Sequence, residues 1–187
     1  MWLTGSNAAD ELLGSDPNAL LIGMLLDQQV PMEKAFSGPA VIAERMGGKL
    51  DVRAIAAADA DEFVALCSRP PAIHRFPKSM ALRVQALCRI LVDRWDADVD
   101  NLYAGAESGA ELKRRIASLP GFGPQKAAIF VALLGKQAGV TPQGWRAAAG
   151  PYGEDGYRSV ADITDADSLA RVREAKRAAK AAAKPKD

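Results

Sequence analysis

The stretch Leu119-Pro120-Gly121-Phe122-Gly123-Pro124-Gln125-Lys126-Ala127 has the residue types and spacing that point most directly to chemistry. Its two glycines suit the ends of a very short helix-to-helix turn, where a left-handed φ or a close backbone approach is needed. Pro124 suits the first turn of the following helix, where a missing N–H leaves nothing unsatisfied. Phe122 is expected to point inward and anchor the turn. Solvent then meets a row of unpaired backbone N–H groups at a helix N-terminus, with Lys126 close by. That arrangement binds anions, and repeated phosphates above all. A bare Gly-x-Gly is an ordinary turn; the full string between two helical segments is far more specific.

Carboxylates and a histidine come next. Asp27 precedes Gln28 and Gln29 at the end of an apolar segment containing Leu20, Leu21, Met24 and Leu25. A carboxylate at a helix C-terminus opposes the helix dipole, so Asp27 is a candidate for a cleft role rather than a helix-stabilising one. Glu154 and Asp155 lie in Gly150-Pro151-Tyr152-Gly153-Glu154-Asp155-Gly156, a flexible loop of the kind that carries catalytic groups and, more often, simply turns. His74, the only histidine, sits among Pro70, Pro71 and Pro77 beside Arg75. It is expected on an exposed, stiff loop, where it would titrate near neutrality.

The elements that must position these residues read as helices. Ser6 or Asn7 caps a segment running to Leu13, and Pro17 opens a buried helix to about Gln29. Pro31 opens another, from Met32 to Met46, closed by Gly47-Gly48. Asp51 and Asp59 look like caps of two short helices, the second over Asp61–Cys67, and a long helix runs from Lys78 to about Trp95. Residues 96–108 read as irregular, Gly109–Ser118 as the helix before the glycine turn, and residues 135–156 as irregular again. An Ala/Lys/Arg tract from Asp165 to Ala183 is helix-prone and nearly unopposed in its positive charge through Lys184-Pro185-Lys186. It is either a phosphate-tracking helix or a solvated one.

Composition bounds the function. The 187 residues suffice for one domain or two small lobes, and 49% are hydrophobic with few alternating β-branched runs, so the fold class is all-α. A net charge of +1 excludes nucleic-acid binding through bulk charge and requires any basic surface to be local. Cys67 and Cys88 lie at no metal-ligand spacing and read as reduced core residues. No apolar run of ~18 residues targets a membrane, and cytoplasm is the expected compartment.

Three features in order, Leu25-Leu26-Asp27-Gln28-Gln29-Val30, Pro77-Lys78-Ser79-Met80-Ala81-Leu82-Arg83-Val84 and the Leu119–Ala127 string, resemble the HhH-GPD superfamily of DNA base-excision glycosylases over roughly residues 17–150. The resemblance implies two all-α lobes with a cleft between them and a helix-hairpin-helix motif. Both chain ends would share one lobe, with the central helices and hairpin in the other. Residues 1–164 would form the glycosylase-like domain and 165–187 a basic helix or tail. The implied partner is double-stranded DNA bearing a damaged or modified base, met by a monomer associated with the nucleoid.

The implied activity is removal of that base by flipping it out and hydrolysing its N-glycosidic bond. Gln28 or Gln29 would enter the gap in the duplex. Gly121, Gly123, Gln125, Lys126 and Arg75 would contact DNA, and His74, Trp145 and Tyr152 would line a base pocket, with Phe36, Phe76 and Tyr157 as further planar candidates. Bifunctional relatives carry a Schiff-base lysine where this chain has Gln125, so a monofunctional enzyme is expected. Lys126, ~100° further round a helix, is expected to touch phosphate or solvent. The family's catalytic aspartate would fall at Gln143, and no carboxylate occurs from Gly123 to Gly153. Asp27, then Glu154 or Asp155, are the replacements. A catalytically silent damage-binding protein is the alternative, and a helical interaction protein that kept only the fold a third reading. No cofactor is expected, an iron–sulfur cluster being out of reach of two separated cysteines. Hairpin carbonyls in relatives often hold a monovalent cation.

Overall fold

A computed structural model describes residues 1–182. Among them there are helices and no strands: α1 (Asn7–Ser15), α2 (Pro17–Leu26), α3 (Met32–Arg45), α4 (Val52–Ala57), α5 (Ala60–Ser68), α6 (Pro77–Trp95), α7 (Val99–Ala104), α8 (Gly109–Ala117), α9 (Pro124–Gln137), α10 (Trp145–Ala149) and α11 (Ala166–Ala182), with short 3-10 turns at Gly150–Tyr152 and Val160–Asp162. Most starts are set by short polar side chains that accept otherwise orphaned N–H groups. Asp16 accepts from Asn18 and Ala19, Asp51 from Ala54, Asp59 from Asp61 and Glu62, and Ser108 from Glu111. Pro17, Pro77 and Pro124 each occupy a first helical turn.

Helix α2 is the hub. Every residue from Ala19 to Leu26 is buried, so it has no solvent face to speak of and packs on all sides. It crosses α3 closely because two glycines allow it. A Cβ on Gly23 would meet the Phe36 ring at 2.8 Å, and one on Gly38 would meet Leu26 at 2.3 Å. Phe36 is therefore a core residue, fully buried, and not a pocket wall. Helices α4 and α5 pack on α6, while α8, α9 and α10 form a second group. The turn at Val160–Asp162 lies on α9 and carries the start of α11. Helix α11 in turn reaches the first helices, where Arg173 pairs with Glu33 of α3. One continuous apolar core runs through both groups.

Two segments expected to be irregular are helical. Helix α7 is capped by Asp98 and buries Val99, Leu102 and Tyr103. Asn18 reaches across from α2 to accept from Val99 N and donate to Ala97 O. Six residues are too few for a period to show in sequence. Helix α10 sits against α8 and α9 because Gly109 and Gly135 leave room for Trp145; a Cβ on Gly135 would come within 2.4 Å of that ring. Conversely, α2 stops at Leu26, three residues early, because Asp27 (φ −73, ψ 75) leaves the helical region.

Candidate functional site

The end of α2 and the start of α9 meet where the 119–127 turn folds back. Gly121 has φ 80, and a Cβ there would lie 2.3 Å from Leu25, so glycine is required twice over. Phe122 is buried against Phe130, as the spacing predicts. Gly123 caps α9 in extended backbone (φ −83, ψ 174) with open space where a side chain would be. The N–H groups of the first turn of α9 consequently face outward beside exposed Pro124 and Gln125.

Asp27 follows the last residue of α2, near Lys126. It is partly buried, and its oxygens accept no hydrogen bond among the described residues. The capping aspartates of this chain are all tied to backbone N–H groups; Asp27 is not. Burial raises its pKa above the ordinary carboxylate value, and Lys126 and Lys176 pull it back down. Lys126 corrects the expectation of a solvated or phosphate-bound lysine. It turns inward, donates to the Leu25 carbonyl at 3.0 Å, and sits 5.7 Å from the Phe122 ring centre. Burial pushes its pKa down to about 8, against the opposing pull of Asp27. The expected divergence of Gln125 and Lys126 around the helix holds, but it is Lys126 that faces Asp27. Gln125 points outward and donates to the Tyr152 hydroxyl at 2.9 Å.

The glutamine turn resolves into two roles. Gln28 is fastened: Nε2 donates to Leu25 O at 3.1 Å, and Oε1 accepts from Arg83 at 3.2 Å. Gln29 is exposed and holds φ 55, a left-handed conformation uncommon for a side-chain-bearing residue. Beneath them is His74, which is buried and not on an exposed loop as its prolines suggested. Its Nδ1 accepts from Phe76 N at 3.0 Å, which leaves the proton on Nε2 to donate to Gln28 O at 2.9 Å. It is a buttress under the turn. Arg75 and Phe76 stand outside it, the guanidinium 4.8 Å over the ring, and Phe76 is 45% exposed beside exposed Leu82.

Because burial lowers the His74 pKa below 6.5, the folded protein disfavours the charged ring. Its support of the turn is complete above about pH 6.5 and is lost as pH falls below it. Thermal unfolding between pH 8 and pH 5 should therefore show a loss in Tm below about pH 6.5 that is absent from His74→Gln. Parallel pH profiles for the two proteins would contradict this reading.

A scan of protein-family models matches residues 22–185 to one described as HhH-GPD superfamily base excision DNA repair protein. The chain belongs to the HhH-GPD superfamily. No curated protein and no solved structure matches it. Members of this superfamily are typically DNA glycosylases, and DNA is the substrate class of the family. Among the described residues no helix is long and apolar enough to cross a membrane.

Glu154 and Asp155 line a cavity with Arg146 and Gly153, apart from Asp27. Glu154 pairs with Arg158 at 2.7 Å, and its carbonyl accepts from Lys136 at 2.6 Å. Asp155 is fully exposed, 3.6 Å from Arg146. Lys136 is ten residues beyond Lys126, ~15 Å along α9, which sets Glu154 far from Asp27. Both are surface ion pairs. Trp145 packs on Gly135 at that same far end and is not a pocket wall beside Asp27. Tyr152 alone of the three pocket candidates stays near the hairpin, through Gln125. Arg83 is the residue whose part in the turn composition and spacing did not single out. Nothing in the sequence could say that Arg83 reaches Gln28, 55 residues away.

Proposed function

We propose that this HhH-GPD protein is a monofunctional DNA glycosylase that turns a damaged or modified base out of the duplex and hydrolyses its N-glycosidic bond. The observation that carries the proposal is Asp27, a desolvated carboxylate with no hydrogen-bond partner among the described residues, placed where the glutamine turn meets the hairpin. As the bond from the base nitrogen to C1′ breaks, its electrons leave with the base and the sugar gains positive charge. Asp27 opposes that charge and orients the water that attacks C1′, taking up its proton. Lys126 opposes the burial that raises the Asp27 pKa. Gln29 fills the gap left in the duplex, braced by Gln28 and His74, and the Arg75–Phe76 shelf lies beside it for stacking.

The outward N–H groups of α9 and Gly123 take a phosphate, with Gln125 held by Tyr152 at the rim. The carbonyls of Pro120, Gly121 and Phe122 accept no hydrogen bond among the described residues, and oxygen donors of this kind suit a monovalent cation. Such a cation would add positive charge near that phosphate.

The lack of a carboxylate near Gln143, whose carbonyl is spent on Gly109 N at 2.8 Å, favours a second reading, a silent damage-binding protein. Excision separates the two. Duplexes each carrying one altered base (uracil, 5-hydroxymethyluracil, hypoxanthine, oxidised guanine, an alkylated purine) should give alkali-labile abasic sites with at least one of them. Borohydride should trap no covalent complex. Binding without product across the set would favour the silent reading, and a trapped adduct lost in Lys126→Ala would overturn the monofunctional assignment.

A further inference from the structure

Beyond Val172, α11 buries nothing: every residue from Arg173 to Ala182 is exposed. A helix of this length without core contacts is marginal in water and needs a reason to be there. Its charges are ordered. Arg173, Lys176, Arg177 and Lys180 stand at i, i+3, i+4 and i+7, which places them on one stripe. Glu174 is the one acid from Arg171 to Ala182. Where that stripe faces is fixed at two points. Arg173 pairs with Glu33 in the first turn of α3, immediately after the glutamine turn, and Lys176 lies close enough to Asp27 to act on its ionisation. Arg171 belongs to another face, paired with Asp167 and lying over Tyr157.

We infer that α11 is a second phosphate-tracking element, whose Arg173–Lys180 stripe lies along the DNA backbone beside the glutamine turn and complements the hairpin's grip. The inference rests on the DNA-binding reading above. From Arg173 to Lys180 the helix advances ~10.5 Å. That length, extended by the reach of Lys and Arg side chains, brings the stripe against a few consecutive phosphates of one strand. Glu33 occupies Arg173 in the free protein, and a phosphate would take its place. The stripe carries no groups arranged to read base edges, so its contribution is the same on every sequence. The protein's near-zero net charge makes such a local patch necessary.

The test compares two triple variants in duplex binding over a salt series, using undamaged DNA of several sequences. One is Lys176→Gln, Arg177→Gln and Lys180→Gln. The other removes equal charge from Lys49, Arg53 and Arg94, at the far end of α6 from the glutamine turn, ~20 Å from Met80. The plot of log Kobs against log salt should become shallower by about 2 to 3 in the α11 variant, with affinity at low salt down at least about tenfold on every sequence. The control should keep the parental slope. Equal behaviour of the two variants would overturn the α11 assignment and leave the hairpin reading standing. Absence of duplex binding by the parent would overturn both.

Discussion

Asp27→Asn should reduce single-turnover excision by a factor on the order of 10² to 10³ while changing duplex affinity by no more than about twofold. The asymmetry follows from where the carboxylate stands. It makes no bond that holds the fold, since its oxygens are unpartnered among the described residues and the turn is fastened through Gln28 and His74 instead. Its charge matters only when positive charge develops opposite it. An amide of the same shape keeps the contour of the cleft and loses that interaction. The pH profile should carry the same signature. Burial raises the Asp27 pKa above the ordinary carboxylate value, so excision should decline as acid protonates that carboxylate, and Asp27→Asn should lack this acid limb. Retention of full rate by Asp27→Asn would move the chemistry elsewhere in the cleft.

The two hairpin glycines should separate folding from binding. Gly121→Ala forces a side chain onto φ 80 and drives its Cβ to within 2.3 Å of Leu25, in the fully buried end of α2. Left-handed strain and overpacking together are worth about 2–4 kcal/mol, or roughly 10 °C in Tm for a domain of this size. Gly123→Ala meets neither penalty. Its backbone is extended and the space around it open, so stability should change by less than about 0.5 kcal/mol. The added methyl stands instead where a phosphate approaches the first turn of α9. Duplex affinity should drop on the order of tenfold, equally for every base tested, with Tm unmoved. A Gly123→Ala protein that binds DNA normally would remove the hairpin from the interface.

Much of this architecture is local, and so it was legible. Caps at Asp51 and Asp59 and prolines at helix starts are decided by residues within one helical turn, and these appear where expected, while Ser6 makes no side-chain cap bond. The cleft is not local. His74 looks exposed among prolines, yet its ring closes onto the carbonyl of Gln28, 46 residues earlier. Lys126 looks solvated from its neighbours alone. Its direction depends on how closely Gly121 lets α9 approach Leu25, 101 residues away in the bond that results. Glu154 and Asp155 follow from counting along the chain, and the fold pairs them with Arg158 and Arg146. Helix α7 was missed for a different reason, since six residues hide their periodicity.

The central claim is that Asp27 faces a sugar that becomes positively charged, and it can be tested without knowing which base is removed. The measurement is the affinity of the protein for two duplexes with abasic analogues, one a neutral tetrahydrofuran and the other a cationic pyrrolidine ring. The account predicts that the cationic duplex binds at least about tenfold tighter, and that Asp27→Asn abolishes the preference while leaving affinity for the neutral duplex unchanged. Equal affinity of the parent for the two duplexes, or a preference that survives in Asp27→Asn, would contradict it.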